Sequence, residues 1–410
     1  MMQKEVPIMG RVVVPIGTQH PALKEPASFI LTLEGEKVVS AKAKLGYNHR
    51  GIEKACENRS YFQSLYIVER VCGICSHAHS TVYCEAVEEL AGIEIPKRAK
   101  YLRTVVCELE RLHSHLLWLG VAAHEIGFDT FFMYVWRDRE KVMDILENFC
   151  GNRVNYGINT LGGVRRDLTP EIIEDIKNLC KLMDERLKIY TDLAMGDATL
   201  AARLAKVGRL SKETAIQYGA VGPVARASGV AIDVRVNDPF AAYDEVKANI
   251  VVDDNCDVFG RVLVRVLEMV DSVRMLRFMM DNIPDGTISV KVPRKIPAGE
   301  VAHRVEAPRG EDAYFLASNG TEKPERIRMR APTEANWHAI AHMLEGDYLA
   351  DSPIIIAAID PCYSCTDRAI QINDLNTGKQ DILNWQQLKQ YSINWHRENN
   401  GIDFAKLKIK

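Results

Sequence analysis

Four of the ten cysteines stand in two matched pairs, Cys72-Gly73-Ile74-Cys75 and Cys362-Tyr363-Ser364-Cys365. Two intervening residues let both thiolates of a pair turn toward one metal ion or close on each other. Four thiolates together suit zinc, an iron–sulfur cluster or another thiophilic metal. Zinc ribbons and knuckles keep their pairs within about 15–20 residues of one another. Here about 290 residues separate them, so one site made from both needs a large scaffold that folds the two ends of the chain together. That is more typical of a catalytic centre than of a structural staple, although a structural zinc or a redox dithiol also satisfies the spacing. The other six, Cys56, Cys84, Cys107, Cys150, Cys180 and Cys256, stand alone and read as small buried apolar residues.

Histidines offer fewer candidates. His77 and His79 follow the first pair; His77 is placed to donate to a cysteine sulfur and His79 reads as a partnered core histidine. His338 and His342 are four apart, the spacing of a helical metal pair, but Ala339 stands where a zinc protease carries its glutamate. They read as a structural pair on one helix face. No glycine-rich phosphate loop appears, so no nucleotide is expected.

The elements that must position these residues can be read from periodicity. Arg11–Pro15 is a β-branched run, and the segments Ser28–Leu33 and Lys37–Lys42 flank the turn Glu34-Gly35-Glu36, a hairpin signal. Helical spacing then dominates. Lys97–Leu119 carries Leu102, Val105, Val106, Leu109, Leu112 and Leu116 on one face with charges between them. Thr169-Pro170-Glu171 is a capped helix start. Asp244–Met280 predicts a long buried helix with one break near Asp254. From Gly286, short strands are expected at Thr287–Val292, Ala313–Ala317 and Arg326–Met329. A helix follows at Thr333–Leu344, and the apolar run Ile354–Ile359 delivers Asp360-Pro361-Cys362. The fold class is α+β: a mainly α-helical body with small antiparallel β elements near the N-terminus and before the second cysteine pair. The expected organisation is a β segment over 1–45, a helical body with the metal site over 46–368, and an extension over 369–410.

The chain has 410 residues, 47% hydrophobic and 26% charged, with a net charge of −3. That length buries a deep core. No basic block suggests nucleic acid, no secretion signal stands at the N-terminus, and no run reaches 18 apolar residues. Any membrane association must then come through partners.

The sequences around the cysteines are more specific. Arg70–His79 (RVCGICSHAH) and Asp360–Arg368 (DPCYSCTDR) closely resemble the two signature motifs of NiFe hydrogenase large subunits. Gly46–Glu53, Asn152–Gly157, Gly162–Asp167 and Glu306–Gly310 resemble further motifs, in the wording of the group 4, energy-converting branch that includes formate hydrogenlyase and Ech-type enzymes. Gly222–Asp233 and His20-Pro21 resemble the quinone-site subunit of respiratory complex I, a homologue that has lost its metal cysteines. All four cysteines are present here, which favours the hydrogenase reading.

The resemblance implies a site and partners. Cys72, Cys75, Cys362 and Cys365 would bind nickel. Cys75 and Cys365 would also bridge to an iron carrying carbonyl and cyanide, Fe(CO)(CN)2. Cys362 would be the first proton acceptor and Glu25 the relay beyond it. Arg309 would hang over the metals, oriented by Asp360. Glu53 would help bind a structural magnesium or second iron near the C-terminus, where the usual histidine is replaced by Arg368. The implied activity is reversible reduction of protons to hydrogen, coupled to membrane ion translocation. The implied partners are a small subunit with a 4Fe-4S cluster, other complex-I-like hydrophilic and membrane subunits, a maturation protease and nickel-insertion factors. The place would be the cytoplasmic side of the membrane, peripheral and held by those subunits. Cleavage after Arg368 would remove the 42 residues Ala369–Lys410. A non-catalytic complex-I-like subunit and a structural zinc protein are the alternatives.

Overall fold

The computed structural model describes residues 10–366, 369–373 and 378–401. Strands β1 (Val12–Ile16), β2 (Ser28–Glu34) and β3 (Lys37–Lys44) form an antiparallel sheet in that order. Gly35, at a φ of 65°, makes the expected hairpin turn between β2 and β3. Alternation turns Phe29, Leu31 and Leu33 inward. The sheet shares its core with the helices: the Phe29 ring lies 6.1 Å from that of Trp337.

The helical body begins with two short helices, α1 (Ile52–Glu57) and α2 (Tyr61–Val68). Three long ones follow: α3 (Ser76–Ala91), α4 (Lys97–Glu125) and α5 (Asp129–Cys150). The stripe Leu102 to Leu116 on α4 is buried, as its spacing predicts. The charges between those leucines are buried too. Arg103 makes a two-armed contact with Glu88 of α3, and Arg111 lies 3.5 Å from Glu108 and 3.8 Å from Glu268. A buried charge is tolerated when it is paired, so α4 can be interior on every face.

A small hairpin, β4 (Asn159–Thr160) and β5 (Gly163–Val164), precedes α6 (Pro170–Gly196), whose start is capped by Thr169 as expected. Then come α7 (Ala198–Leu204), α8 (Lys212–Gln217), α9 (Gly222–Arg226), α10 (Val234–Asn237) and α11 (Val258–Asn282). Helix α11 corrects the expectation over Asp244–Met280: the first part is irregular and the helix starts at Val258. The Asp253 carboxylate accepts from Asn255 N–H, Cys256 sits at a φ of 62°, and Asp257 caps the new helix by accepting from Gly260 N–H. Asp and Asn side chains there compete with helical bonding.

Three antiparallel strands follow, β6 (Gly299–Ala307), β7 (Gly310–Ser318) and β8 (Pro324–Arg330). The first is one the sequence did not announce. The strand expected at Thr287–Val292 is instead an extended segment that bonds to Gly162 and Val164 around one bridge at Ser289. Its partner hairpin is too short to pair more. Helices α12 (Pro332–Leu344) and α13 (Ser352–Ala358) lead to the second cysteine pair. Beyond it lie β9 (Ala369–Asn373), β10 (Gln380–Asn384) and α14 (Trp385–Asn400); among the described residues β9 and β10 pair only with each other. Among the described residues no helix is long and apolar enough to cross a membrane.

Candidate metal centre

The two cysteine pairs meet. Cys362 Sγ lies 3.3 Å from Cys72 Sγ, with the thiols of Cys75 and Cys365 also against Cys72, and all four residues are buried. Each pair is placed by a turn and a helix. Cys72 ends the 3-10 turn Glu69–Val71, and its sulfur accepts from Ile74 N–H at 3.3 Å and Cys75 N–H at 3.4 Å. Helix α3 starts immediately after Cys75 and has no cap of its own. Glu110 of α4 supplies it, accepting from His77 N–H and Ala78 N–H at 2.7 and 3.1 Å. His113, one turn further along α4, reaches Ile74 O at 3.2 Å.

The second pair hangs from α12 and α13. Helix α13 stops at a left-handed residue, Asp360, at a φ of 53°, a conformation Asp tolerates better than most. Cys362 N–H donates to Thr333 Oγ1, and the Tyr363 ring packs 5.2 Å from Trp337. Glu25 completes the seat: its carboxylate accepts from Ser364 N–H at 2.8 Å and from Ser364 Oγ at 2.7 Å.

Arg309 occupies the two-residue turn between β6 and β7 and is fully buried beside the thiols. Its Nε donates to Asp360 O at 2.6 Å and its Nη2 to Asp360 Oδ1 at 3.1 Å, while among the described residues Nη1 has no hydrogen-bond partner. Lys24 Nζ shares the same Asp360 oxygen at 3.4 Å. Behind Arg309 the backbone of Gly310 touches that of Gly222. A Cβ on Gly222 would sit 2.3 Å from Arg309 O.

Charge in the cluster is uneven. Hydrogen bonds from Cys362, Cys365 and Cys75 pull the Cys72 thiol well below its ordinary range. Cys75 is pushed well up by its bond to Cys72 and by burial, and Cys365 by burial first and then its bonds to Cys362 and Cys72. Cys362 is lowered by Cys365, but Cys72 and burial outweigh this and raise it. Burial opposes the charge of Arg309, yet Asp360 and the cysteines hold its pKa well above the usual value.

The donors fit a thiophilic metal in kind. With metal–sulfur bonds of about 2.3 Å, two sulfurs on one ion stand about 3.3 Å apart at a right angle and about 3.8 Å apart at the tetrahedral angle. The Cys72–Cys362 separation is therefore that of adjacent ligands. Among the described residues no three or more His, Cys, Asp or Glu side chains are disposed to hold an ion as they stand. Binding one requires the thiol protons to leave.

Other sequence-predicted residues lie elsewhere. The His77 ring does not reach a sulfur: Nε2 bonds Arg103 O and Nδ1 lies against Asn159, while burial pushes its pKa down to about 3. His79 is a buried, partnered histidine, 2.7 Å from Asp312 and 3.0 Å from Tyr314 Oη. His338 and His342 face outward on α12. Glu53 lies away from the thiols: it accepts from Met329 N–H at 2.8 Å and lies 3.6 Å from Arg328. Arg368 lies outside the described residues. Lys24, Thr333, Glu110 and Arg50 make contacts around the thiol loops that residue types alone did not reveal. Arg50 was visible only as part of a motif.

The family described as respiratory-chain NADH dehydrogenase, 49 Kd subunit, matches residues 125–295 and 290–368, and the family of nickel-dependent hydrogenase matches residues 50–121. The membrane-bound hydrogenase subunit alpha of Pyrococcus furiosus is 42% identical over 95% of this chain and 94% of its own. Formate hydrogenlyase subunit 5 of Escherichia coli is 39% identical over 95% of this chain and 68% of its own. A chain of the NADH-quinone oxidoreductase of Clostridium beijerinckii is 36% identical over 86% of this chain and 96% of its own. A solved structure of the membrane-bound sulfane sulfur reductase, an archaeal respiratory membrane complex, superposes with a TM-score of 0.83 at 32% identity, covering 87% of this chain and 98% of that one. The chain belongs to the family that joins the large subunits of group 4 NiFe hydrogenases to their homologue, the 49-kDa subunit of respiratory NADH dehydrogenase.

Proposed function

We propose that this chain is the catalytic large subunit of an energy-converting NiFe hydrogenase, reversibly reducing protons to hydrogen. The observation that carries the reading is the meeting of four buried cysteine thiols beside a buried arginine. Cys72, Cys75, Cys362 and Cys365 would hold the nickel–iron group. When bound there, the nickel–iron group with its carbonyl and cyanide would supply a soft, redox-active centre for hydrogen. Arg309, fixed through Asp360, holds positive charge beside the sulfurs and favours negative charge developing there. Its unpartnered Nη1 is a donor kept free for that purpose. Cys362 Sγ is the first proton acceptor. Glu25, bound to the residue two beyond Cys362, is the carboxylate that takes the proton on.

Relatives named as membrane-bound and formate-linked hydrogenase subunits support a place in a multi-subunit membrane assembly. In this reading electrons come from a partner subunit carrying an iron–sulfur cluster, and the chain lies peripherally on the cytoplasmic side. Metal analysis with infrared spectroscopy of the purified complex tests the reading. The expected result is about one nickel per chain with iron-bound carbonyl and cyanide bands. Zinc alone would turn the four cysteines into a structural site. A metal-free chain active in electron transfer would make it a complex-I-like subunit.

A further inference from the structure

The segment Gly46–Glu53 is a resemblance motif to which the mechanism gives no working part. Its Arg50 is the point where the two halves of the thiol cluster are tied together. Arg50 Nη1 donates to Arg70 O at 2.7 Å and Nη2 to Val71 O at 2.8 Å, the two carbonyls that precede Cys72. The same Nη2 donates to Ser364 O at 3.0 Å, between Cys362 and Cys365. One planar guanidinium thus spans two backbone segments about 290 residues apart in the chain. Ser364 is held from the other side as well, since its N–H and its hydroxyl both donate to Glu25. Every polar group of Ser364 is taken, its carbonyl by Arg50 and its donors by Glu25.

Arg50 itself is held by the turn around it. Its Nε donates to Asn48 O, and Gly51, at a φ of 63°, turns the chain into α1 directly after it. The side chain is exposed, and no carboxylate is among these partners. Its donors go to carbonyl oxygens, an arrangement that uses the fork and not merely the charge. A lysine has the charge on a single nitrogen and cannot span three carbonyls in the same plane.

We propose that Arg50 is a positioning residue for the four-cysteine site: it sets the separation of the two thiol pairs, and with it the retention of the metal they share. The proposal rests on the four-cysteine reading above and adds to it the element that closes the site. It differs from a general structural role in one respect. The contacts run through backbone carbonyls on both cysteine loops, so Arg50 acts on the distance between the loops.

The test is nickel release. The intact complex is purified as wild type, Arg50→Lys and Ser364→Ala, each is challenged with EDTA, and nickel remaining is measured with time alongside the melting temperature. The expected result is that Arg50→Lys loses nickel at least about tenfold faster than wild type at nearly unchanged melting temperature. Ser364→Ala, which keeps the carbonyl that Arg50 holds, should stay close to wild type. Should Arg50→Lys fail to load nickel, Arg50→Ala loaded in the presence of methylguanidine takes its place. Because the side chain is exposed, the small guanidinium can enter the carbonyl cradle and should restore retention; no restoration overturns the proposal. Equal retention in wild type and Arg50→Lys overturns the clamp while leaving the nickel site standing. A wild-type complex without nickel removes the four-cysteine reading and the clamp with it.

Discussion

Glu25 engages both carboxylate oxygens with Ser364, so a proton can reach it only at an oxygen that shares or gives up that bond. Glu25→Gln keeps an oxygen for the Ser364 N–H but removes the ionisable group. If Glu25 relays protons, hydrogen–deuterium exchange should fall about a hundredfold or more while nickel content stays at the wild-type level. Exchange at the wild-type rate would make Glu25 a purely structural grip on Ser364. The contrast shows what residue types disclose. The four cysteines were legible from their pairing, whereas Arg309 and Asp360 were reached only through the family resemblance, since an arginine in a turn carries no such signal by itself. Lys24, Thr333 and Arg50 were not legible, because they act on backbone carbonyls, amides or a carboxylate already assigned elsewhere. Which backbone group lies within reach is a property of the fold and not of the residue.

At the scale of elements, α4 positions the first cysteine pair, and its own burial makes its histidines sensitive to acid. Arg139 donates to His113 Nδ1, which fixes the ring as a neutral tautomer with Nε2–H donating to Ile74 O. Burial, then the Arg139 charge, push its pKa down from 6.5 to about 3. Between those values the unfolded chain binds a proton that the folded chain refuses, so this residue makes stability rise with pH from about 3 to 6.5. His113→Gln should flatten the stability–pH curve over that window by about 1.4 kcal/mol per pH unit, measured by urea unfolding. An unchanged slope would mean that His113 is charged in the folded protein. Behind the site, α9 and the β6–β7 turn meet backbone to backbone at Gly222 and Gly310. Gly222 combines a φ of 65° with a Cβ position 2.3 Å from Arg309 O. Gly222→Ala should destabilise the chain by on the order of 3 kcal/mol and displace Arg309, which a melting scan and loss of turnover would register together. A fully stable, active variant would show that this contact can relax. Long helices such as α4 and α6 were readable from spacing and capping. The false start over Asp244–Asp257 was not, because an apolar, helix-like composition says nothing of side chains such as Asp253 and Asp257 that bond their own backbone.

For the whole molecule, the core runs from the β1–β3 sheet through α4 and α11 to α13, and the segment after the second cysteine pair builds its own hairpin and helix. Tyr391 and Trp395 on α14 are exposed, which leaves that face open to a partner. We predict that protein from an active host ends at Arg368, about 5 kDa short of the encoded mass at roughly 110 Da per residue, because a cut there frees the chain end next to Cys365. Intact mass measurement reads this directly, and a fully active enzyme carrying Lys410 would make the hairpin and α14 permanent parts.

The distance in sequence between Cys72 and Cys362 also has a consequence in time. A ribosome adds about 5–20 residues per second, so the first pair emerges some 15 to 60 s before the second exists. During that interval Cys72 and Cys75 can offer an ion only two thiolates. Arg309 emerges late as well, and the carbonyl of Ser364 that Arg50 grips is made just before the last thiol, Cys365. No translation product that stops before Cys365 contains the site, and the four-thiol set comes into being only once the second pair has followed the first out of the ribosome.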